Sequence, residues 1–341
     1  MKSAVNIFDV AKYAGVSPAT VSRVINNHPN VKEETRKKVQ LAIKELRYHP
    51  NISAQRLAGG KTRTVAVVIP HYEGLFYSFY AVEILRGVGI VCDALGLDLL
   101  LYVATRERPD LPIAAGGVIF ADTFTQYECI KNSVERGVPT VVINNVVDDI
   151  PVDCFAIDNR GGAREAVEYL LSLGHTKIAH ITGDLRTQSA NDRLIGYKEA
   201  LLKAGVRICP EYVQEGDFSR LSARIATEKL IKLKERPTAI FVASDEMALE
   251  VLFALREHGI NVPRDISIVG FDDSPAAIQA PVPLTTVKQP LLEMAREAVE
   301  ELHRIIENRK GRHLYMSHVA PHKIYLHTEL VIRNSCQPPA F

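Results

Sequence analysis

The sequence predicts a small all-α head with a helix–turn–helix, a short connecting segment, and an α/β body of two doubly wound parallel-sheet lobes. Three observations lead there. Apolar residues recur at helical spacing on both sides of Gly15 within residues 7–27. At Thr64 the period changes, and continuous apolar runs of strand length begin to alternate with helical stretches. After residue 158 that alternation starts again, so two similar α/β units stand in tandem.

In the head, Val10, Ala11 and Ala14 share one face of a first helix. Gly15 supplies the turn, where a positive φ is cheap only for glycine. Ser17 reads as an N-cap and Pro18 as the first helical residue, whose missing N–H costs nothing there. Val21, Val24 and Ile25 form the apolar face of the second helix, with Ala19, Ser22 and Arg23 opposite. This is helix–turn–helix spacing, in which the second helix can lie in a DNA major groove. An ordinary helical hairpin has the same pattern. A third helix over about Lys32–Tyr48 closes the core through Val39, Ala42, Ile43 and Leu46. Its acidic start (Glu33, Glu34) and basic end (Lys44, Arg47) suit the helix dipole, while Lys32 is a poor N-cap.

Pro50 ends that run. Residues Asn51–Gly60 are too few to hold a helix alone, so they form either a flexible linker or a segment that folds on a partner. Leu57 is expected to be their one exposed large apolar side chain, of a kind that can be wedged between base steps in a minor groove. Gly59-Gly60-Lys61-Thr62 is no phosphate loop, because the earlier glycine is missing and no strand precedes it.

The body starts with a buried strand, Val65–Ile69, and a helix at about Phe79–Leu95. Strand runs follow at Leu99–Val103, Gly117–Ala121, Thr140–Ile143 and Phe155–Ile157, with helices between most of them. The second unit reads as helix Arg160–Leu173, strand Lys177–Thr182, helix Asp192–Ala204, strand Tyr212–Glu215, helix Ser222–Leu233, strand Ala239–Val242, helix Glu246–His258 and strand Ser267–Gly270. Helix Leu291–Glu307 and the last strands, Lys323–Ile332, then cross back and finish both lobes. The domain expectation is 1–49 for the head, 50–61 for the connecting segment and 62–341 for the body. Within the body, an N-lobe takes about 62–158 plus 291–320, and a C-lobe about 159–288 plus 323–335. The end, CQPPAF, reads as frayed. Ligands of parallel sheets bind at the C-terminal ends of strands, so a cleft between lobes is the default site.

Composition narrows the function classes. The chain of 341 residues is 47% hydrophobic and 24% charged, a globular balance that exceeds one small core. Residues 1–60 hold ten Lys/Arg against four Asp/Glu, although the whole chain is only +1. A basic head on an acidic body places polyanion binding in the head. No apolar run approaches the ~20 residues of a membrane span. The start, MKSAVNIFDV, has no signal-peptide core, and five scattered cysteines suit a reducing, cytoplasmic setting without disulfides. No metal-ligand cluster, dinucleotide fingerprint or nucleophile elbow appears, so neither a metal, a cofactor nor a catalytic residue is expected.

The segments DVAKYAGVSPATVSRVINN, TRKKVQLAIKELRYHPN and AQRLAGGKT resemble the lactose-repressor (LacI/GalR) family of bacterial transcriptional regulators. The body adds IDNRGGAREAVEYLLSLGHTKIAHITG, NDRLIGYKEAL, RPTAIFVASDEMALEVLFALREHGINVPRDISIVGFDD, PLTTVKQP and TELVIRNS, so the resemblance spans nearly the whole chain. It implies a head plus a hinge helix that orders on operator DNA, joined to a periplasmic-binding-protein-like body that binds a small effector and forms a homodimer. Base reading falls to Pro18, Ala19 and Arg23. Backbone contacts fall to Ser17, Thr20, Ser22, Asn26 and Asn51, the head–hinge junction to Tyr48, and the minor-groove wedge to Leu57. Plain helix start is the alternative for Pro18, and a phosphate contact the alternative for Arg23.

For the effector, the resemblance implies Arg193 as the residue that grips the ligand, Asp272 as acceptor of its hydroxyl or N–H groups, and Phe218 as the stacking ring. Ser189 stands one helical turn before Arg193, and Asn144 follows an N-lobe strand. Phe79 and Tyr80 are the ring candidates of the first N-lobe loop, and Ser244 and Gln289 match cleft positions. Asp245 reads instead as the cap of the next helix. An Arg–Asp pair with a ring suits a small polar ring such as a sugar or nucleobase. An inter-lobe salt bridge is the alternative for Arg193 and Asp272, and core packing the alternative for the aromatic residues. One departure stands out: residues 104–116 are too short and proline-rich for the family's usual helix, which thins one layer of the N-lobe.

The function expected is a DNA-binding repressor controlled by a small polar effector, a sugar or sugar derivative, bound between the two lobes. The rival within the class is control by a protein partner or by a nucleobase-type corepressor. Outside the class stand a transport-type sugar-binding protein, opposed by the head, and an enzyme, opposed by the missing motifs.

Overall fold

The computed structural model describes residues 6–25, 30–46, 63–72, 74–105, 115–124, 126–311 and 321–339. The chain forms two compact units, Met1–Thr62 and Arg63–Phe341.

The first unit holds α1 (Ile7–Ala14), α2 (Pro18–Ile25) and α3 (Glu33–Glu45). Asn6 caps α1, and Asp9 returns the bond to the Asn6 N–H at 2.8 Å, a reciprocal box that satisfies otherwise orphaned donors. Gly15 ends α1 at φ +66°, the conformation for which the sequence needs a glycine there. Ser17 Oγ accepts the Thr20 N–H at 3.2 Å at the start of α2. Lys32 makes no side-chain cap on α3. The six fully buried apolar residues Val10, Ala11, Val21, Val24, Val39 and Ala42 come from all three helices and close the core. Asn26, Tyr48, Asn51 and Leu57 lie outside the described residues, as does the whole Asn51–Gly60 segment.

The second unit has two six-stranded sheets. In the N-lobe, β1 (Thr64–Pro70), β2 (Asp98–Ala104), β3 (Gly117–Phe120), β4 (Thr140–Ile143), β5 (Asp153–Ile157) and β11 (Lys323–Leu326) pair in the order β11-β5-β4-β3-β1-β2, all parallel. Side chains alternate across a strand, so Val65, Val67 and Ile69 pack beneath α4 (Phe79–Leu95) and α11 (Leu291–Gly311), while Ala66 and Val68 face α5 (Tyr127–Glu135). This is why β1 reads as an unbroken apolar run. Each such fully buried Val or Ile contributes about 1.5–3 kcal/mol.

In the C-lobe, β6 (Ile178–Ile181), β7 (Val213–Gln214), β8 (Ala239–Val242), β9 (Ser267–Asp272), β10 (Thr285–Lys288) and β12 (Glu329–Val331) pair in the order β12-β10-β9-β8-β6-β7. Only β12 runs antiparallel, on β10. Helices α6 (Asn159–Ser172) and α7 (Gln188–Lys203) cover one face, α8 (Arg220–Ile231) and α9 (Asp245–Glu257) the other. The short α10 (Pro275–Gln279) precedes β10. The chain passes between lobes after β5, between β10 and α11, and between β11 and β12.

Several expectations are corrected here. The strand at Lys323–Leu326 joins the N-lobe sheet beside β5, so the last piece of the C-lobe begins after it rather than at 323. Helix α7 starts at Gln188, four residues earlier than its apolar period indicates, because Thr187 Oγ1 caps it by accepting the Ala190 N–H. Thr285–Lys288 forms a strand where no continuous apolar run marks one. The C-terminal end through Gln337 is pinned, not frayed. Ser335 Oγ donates to the Ile268 carbonyl at 2.6 Å and accepts the Thr285 N–H at 2.8 Å, and the Gln337 carbonyl meets buried His175 Nε2 at 2.9 Å. Of the shortened stretch, 106–114 lies outside the described residues. The strand before it, β2, is the edge of its sheet, with Asp98 and Leu99 exposed.

Candidate functional site

In the head, α2 turns Ser17, Ala19 and Arg23 to solvent, with Pro18, Thr20 and Ser22 half-buried. Ser17 Oγ and Thr20 Oγ1 bond to each other at 2.9 Å, so the capping hydroxyl and its neighbour are held as a pair at the helix start. Arg23 extends from the same helix, one turn beyond Ala19. A backbone anchor at a helix N-terminus, a small apolar side chain and a guanidinium are the parts a groove-reading helix needs.

In the body, strand ends from both lobes face one another. On the N-lobe side, Tyr80 on α4 donates its hydroxyl to the Ala121 carbonyl at 2.6 Å and receives a hydrogen bond from Asn144 at the end of β4. Burial, then the nearby Asp122 carboxylate, pushes the Tyr80 phenol well above its ordinary pKa. Asn144 takes φ +66°, and its Oδ1 is buried without a hydrogen-bond partner, as is Oδ1 of Asn145. Phe79, which opens α4, is half-buried and packs against the N-lobe core, as Tyr80 also does.

On the C-lobe side, Arg193 is buried on α7. Its Nε donates to Asn159 Oδ1 at 2.9 Å, its Nη1 to the Ala243 carbonyl at 2.5 Å, and its guanidinium lies 3.8 Å from the centre of the Phe271 ring. Burial lowers its pKa to about 10, opposed by the Asp272, Asp245 and Asp192 carboxylates, so it stays a cation at neutral pH. Close packing holds the helix that carries it. A Cβ added at Gly196 would fall 2.2 Å from the Arg160 carbonyl oxygen on α6. Ser189 lies one turn earlier, buried, with Oγ 3.4 Å from the cap hydroxyl of Thr187. Asp272, at the end of β9, takes φ +130° and accepts Gln289 Nε2 at 2.5 Å. Burial raises its carboxyl to about 6, and Arg193 and the Gln289 bond oppose the rise. Phe218 takes φ +68°, and its ring covers Gly183 so closely that a Cβ there would lie 2.0 Å away.

Arg193 and Asp272 therefore sit on the same lobe and engage different partners, which removes the inter-lobe salt-bridge alternative. The cap of α9 is Ser244, not Asp245. Ser244 caps α9 by accepting the Met247 N–H at 3.3 Å. Asp245 is fully buried in the first turn, where its Oδ1 accepts Thr286 Oγ1 at 2.6 Å and its Oδ2 the Ser274 N–H at 2.8 Å. Burial and the neighbouring Asp272 charge raise its pKa well above the carboxylate range. A serine and an aspartate in sequence are both good caps, and which one lies outside the helix is set by the strand it leaves.

Across the gap, Gln188 Oε1 of the C-lobe accepts the Val146 N–H of the N-lobe at 2.8 Å, and Arg186 lies over the Phe124 ring at 5.2 Å. Asp122 feels the Asp184 charge, and Tyr72 that of Asp272. Asn159, Phe271, Asp122 and Gln188 are absent from the sequence-based candidates. Asp122 had a signal, since like Asn144 it directly follows a strand. Three of the four non-glycine residues with positive φ among the described residues, Asn144, Phe218 and Asp272, are candidates for this cleft. Sparsely populated backbone conformations persist where the surroundings hold them and cluster at binding sites.

Elsewhere, Asp153, Glu301 and His322 bring potential metal-ligating atoms within 4.8 Å of one another, from three distant stretches of sequence. Those groups already serve one another and Arg304. His322 N–H donates to Asp153 at 2.6 Å, and Glu301 pairs with Arg304.

Residues 6–51 match the family described as "Bacterial regulatory proteins, lacI family", and residues 167–336 the "Periplasmic binding protein-like domain". The chain is 36% identical over 343 residues to the HTH-type transcriptional regulator DegA of Bacillus subtilis, covering 97% of this chain and 98% of that one. Among solved structures, the Lac repressor dimer bound to operator and the anti-inducer ONPF superposes with a TM-score of 0.84 at 30% identity, covering 98% of this chain and 100% of that one. A transcriptional regulator CelR–cellobiose complex gives 0.71 at 33% identity, covering 97% and 99%.

Proposed function

The chain belongs to the LacI family of bacterial regulatory proteins, and from that premise we propose how it works. It is a transcriptional repressor that binds a pseudo-palindromic operator as a homodimer, in the cytoplasm and without catalytic activity, and a small polar effector in the body sets its affinity for DNA. Members of the family are transcriptional regulators, and among the described residues no helix is long and apolar enough to cross a membrane.

One observation carries the reading. The same chain joins a capped helix–turn–helix that exposes Ala19 and Arg23 to a body whose facing strand ends hold a buried cation, carboxylates and backbone-strained candidate residues. Base reading is assigned to Pro18, Ala19 and Arg23, and phosphate contact to Ser17, Thr20, Ser22, Asn26 and Asn51. Tyr48 serves the junction and Leu57 the minor-groove wedge. In the body Arg193, Asp272, Ser189, Asn144, Tyr80, Phe218 and Gln289 face the effector, and Phe79 and Ser244 support them. Effector binding changes the angle between lobes and so forms or melts the hinge helix. A coupling of about 1–3 kcal/mol is enough for 5–150-fold control.

Selecting sites from a random duplex pool with the full-length protein tests this. A two-fold-related site should emerge, Arg23→Ala should weaken it about 10–100-fold, and random duplex should bind nearly as before at matched salt. Equal losses on both duplexes would remove Arg23 as a base reader. Failure to recover any site would remove the repressor reading.

A further inference from the structure

We infer that Arg63 is a positioning residue that couples the cleft to the connecting segment, by tying the C-terminal end of α4 to the point where the chain enters β1 from residues 50–62. The inference deepens the effector-control reading above and rests on it.

Two ties meet at that point. The Arg63 carbonyl accepts the Asp98 N–H at 2.8 Å, which is backbone pairing at the start of β2. The Arg63 guanidinium donates from Nε at 3.0 Å and from Nη2 at 2.6 Å to the carbonyl of Gly96, the C-cap of α4. Two donors on one acceptor fix the plane of the group, and a cation suits the negative end of a helix dipole. The sheet has no need of this second tie, because β1 is paired with β2 along its whole length from Thr64 to Pro70. What the side chain adds is a link from the helix to the residue that opens the second unit.

The other end of α4 stands at the cleft. The helix has 17 residues, about 25 Å at 1.5 Å per residue, and its first turn holds Tyr80, which bonds the Ala121 carbonyl. Midway, α4 meets α11 at the level of the backbone. A Cβ added at Gly87 would fall 2.6 Å from the Leu292 carbonyl oxygen and 2.7 Å from Ala295 Cβ. Packing this close passes displacement on instead of absorbing it. α11 begins at a crossing from the C-lobe, just after Gln289, whose side chain donates to Asp272. A change at Asp272 therefore reaches the start of α11, α11 shifts α4 through Gly87, and α4 shifts Arg63 through Gly96. The elements are contiguous at every step.

By linkage, an effector that acts on DNA affinity through the cleft requires DNA to act on the cleft in return. The probe is therefore the operator duplex alone, selected as above, at saturating concentration on the full-length protein. The readout is hydrogen–deuterium exchange in peptides spanning 144–147 and 269–274. The duplex should change exchange there by about fivefold or more in the wild type, and by less than about twofold in Arg63→Ala at equal occupancy and near-equal melting temperature. Arg63→Lys keeps one donor for the Gly96 carbonyl and should restore part of the response. Gly96→Ala should act like Arg63→Ala with the arginine still present, because the new Cβ would lie 2.4 Å from Arg63 Nη2. A wild-type response in both Arg63→Ala and Gly96→Ala would overturn the inference. So would a loss of all operator binding confined to Arg63→Ala, which would make Arg63 a DNA contact. No response at the cleft of the wild type would overturn the effector-control reading and this inference with it.

Discussion

Gln289 hands a side-chain N–H to Asp272 Oδ1 at 2.5 Å, and this bond holds in place a carboxyl that burial pushes up to about 6. A carboxyl whose folded pKa stands above its unfolded value near 3.9 binds its proton more readily in the folded state. Between about pH 4 and 6 the folded state therefore holds a proton the unfolded state has lost. The stability this group contributes is full below that window and fades as pH rises through it. Asp272→Asn should flatten that slope and raise the pH 7 stability of the effector-free protein by about 1–3 kcal/mol. Effector affinity should fall at least tenfold. Denaturant melts at pH 5 and pH 7 beside calorimetry would show both, and an unchanged pH dependence would contradict the assignment.

Arg193→Lys keeps the charge and removes the planar fork. The lysine cannot serve Asn159, Ala243 and the Phe271 face together, and a buried acceptor left without its donor costs about 1–3 kcal/mol. We expect that loss in stability and a 10–100-fold loss in effector affinity, with operator binding intact in the absence of effector.

Ser244→Ala separates a cap from a ligand contact. Loss of the bond to the Met247 N–H should cost about 0.5–2 kcal/mol in stability. Effector affinity should change less than threefold. A tenfold loss of affinity at unchanged stability would return Ser244 to the binding wall.

Gly196→Ala tests how α7 is seated. The added carbon would meet the Arg160 carbonyl, which is backbone and can move only with α6. A loss of about 1–3 kcal/mol is expected, together with weaker effector binding, because Arg193 rides on the displaced helix. A wild-type melting temperature would show that the two helices separate freely.

Much of the layout was legible because its signals are local. Apolar period alone marks α4 at Phe79–Leu95, β4 at Thr140–Ile143 and β8 at Ala239–Val242, with the same ends as in the structure. Gly15 and Ser17 announce the turn in the head through backbone chemistry. What escaped depends on distant partners. Thr285–Lys288 is short and opens with two threonines, and it becomes a strand because β9 lies beside it. The Ser335–Gln337 tail looks like a polar end until the Ile268 carbonyl, the Thr285 N–H and His175 receive it. Arg193 was nominated by its motif, but its partners Asn159 and Phe271 stand 34 and 78 positions away and no local pattern joins them. The strained φ of Phe218 and Asp272 carries no sequence mark, since neither residue is a glycine.

The three passages between the lobes lie at one side of both sheets, where β5 neighbours β11 and β10 neighbours β12. Three tethers set in a row behave like a strip of cloth along a book's spine. They let the covers swing but resist sliding and twisting. Cutting one tether by site-specific proteolysis should leave the other two carrying the swing, so a nicked body should still open and close on its ligand. A body joined by a single thread would fall into two independent halves.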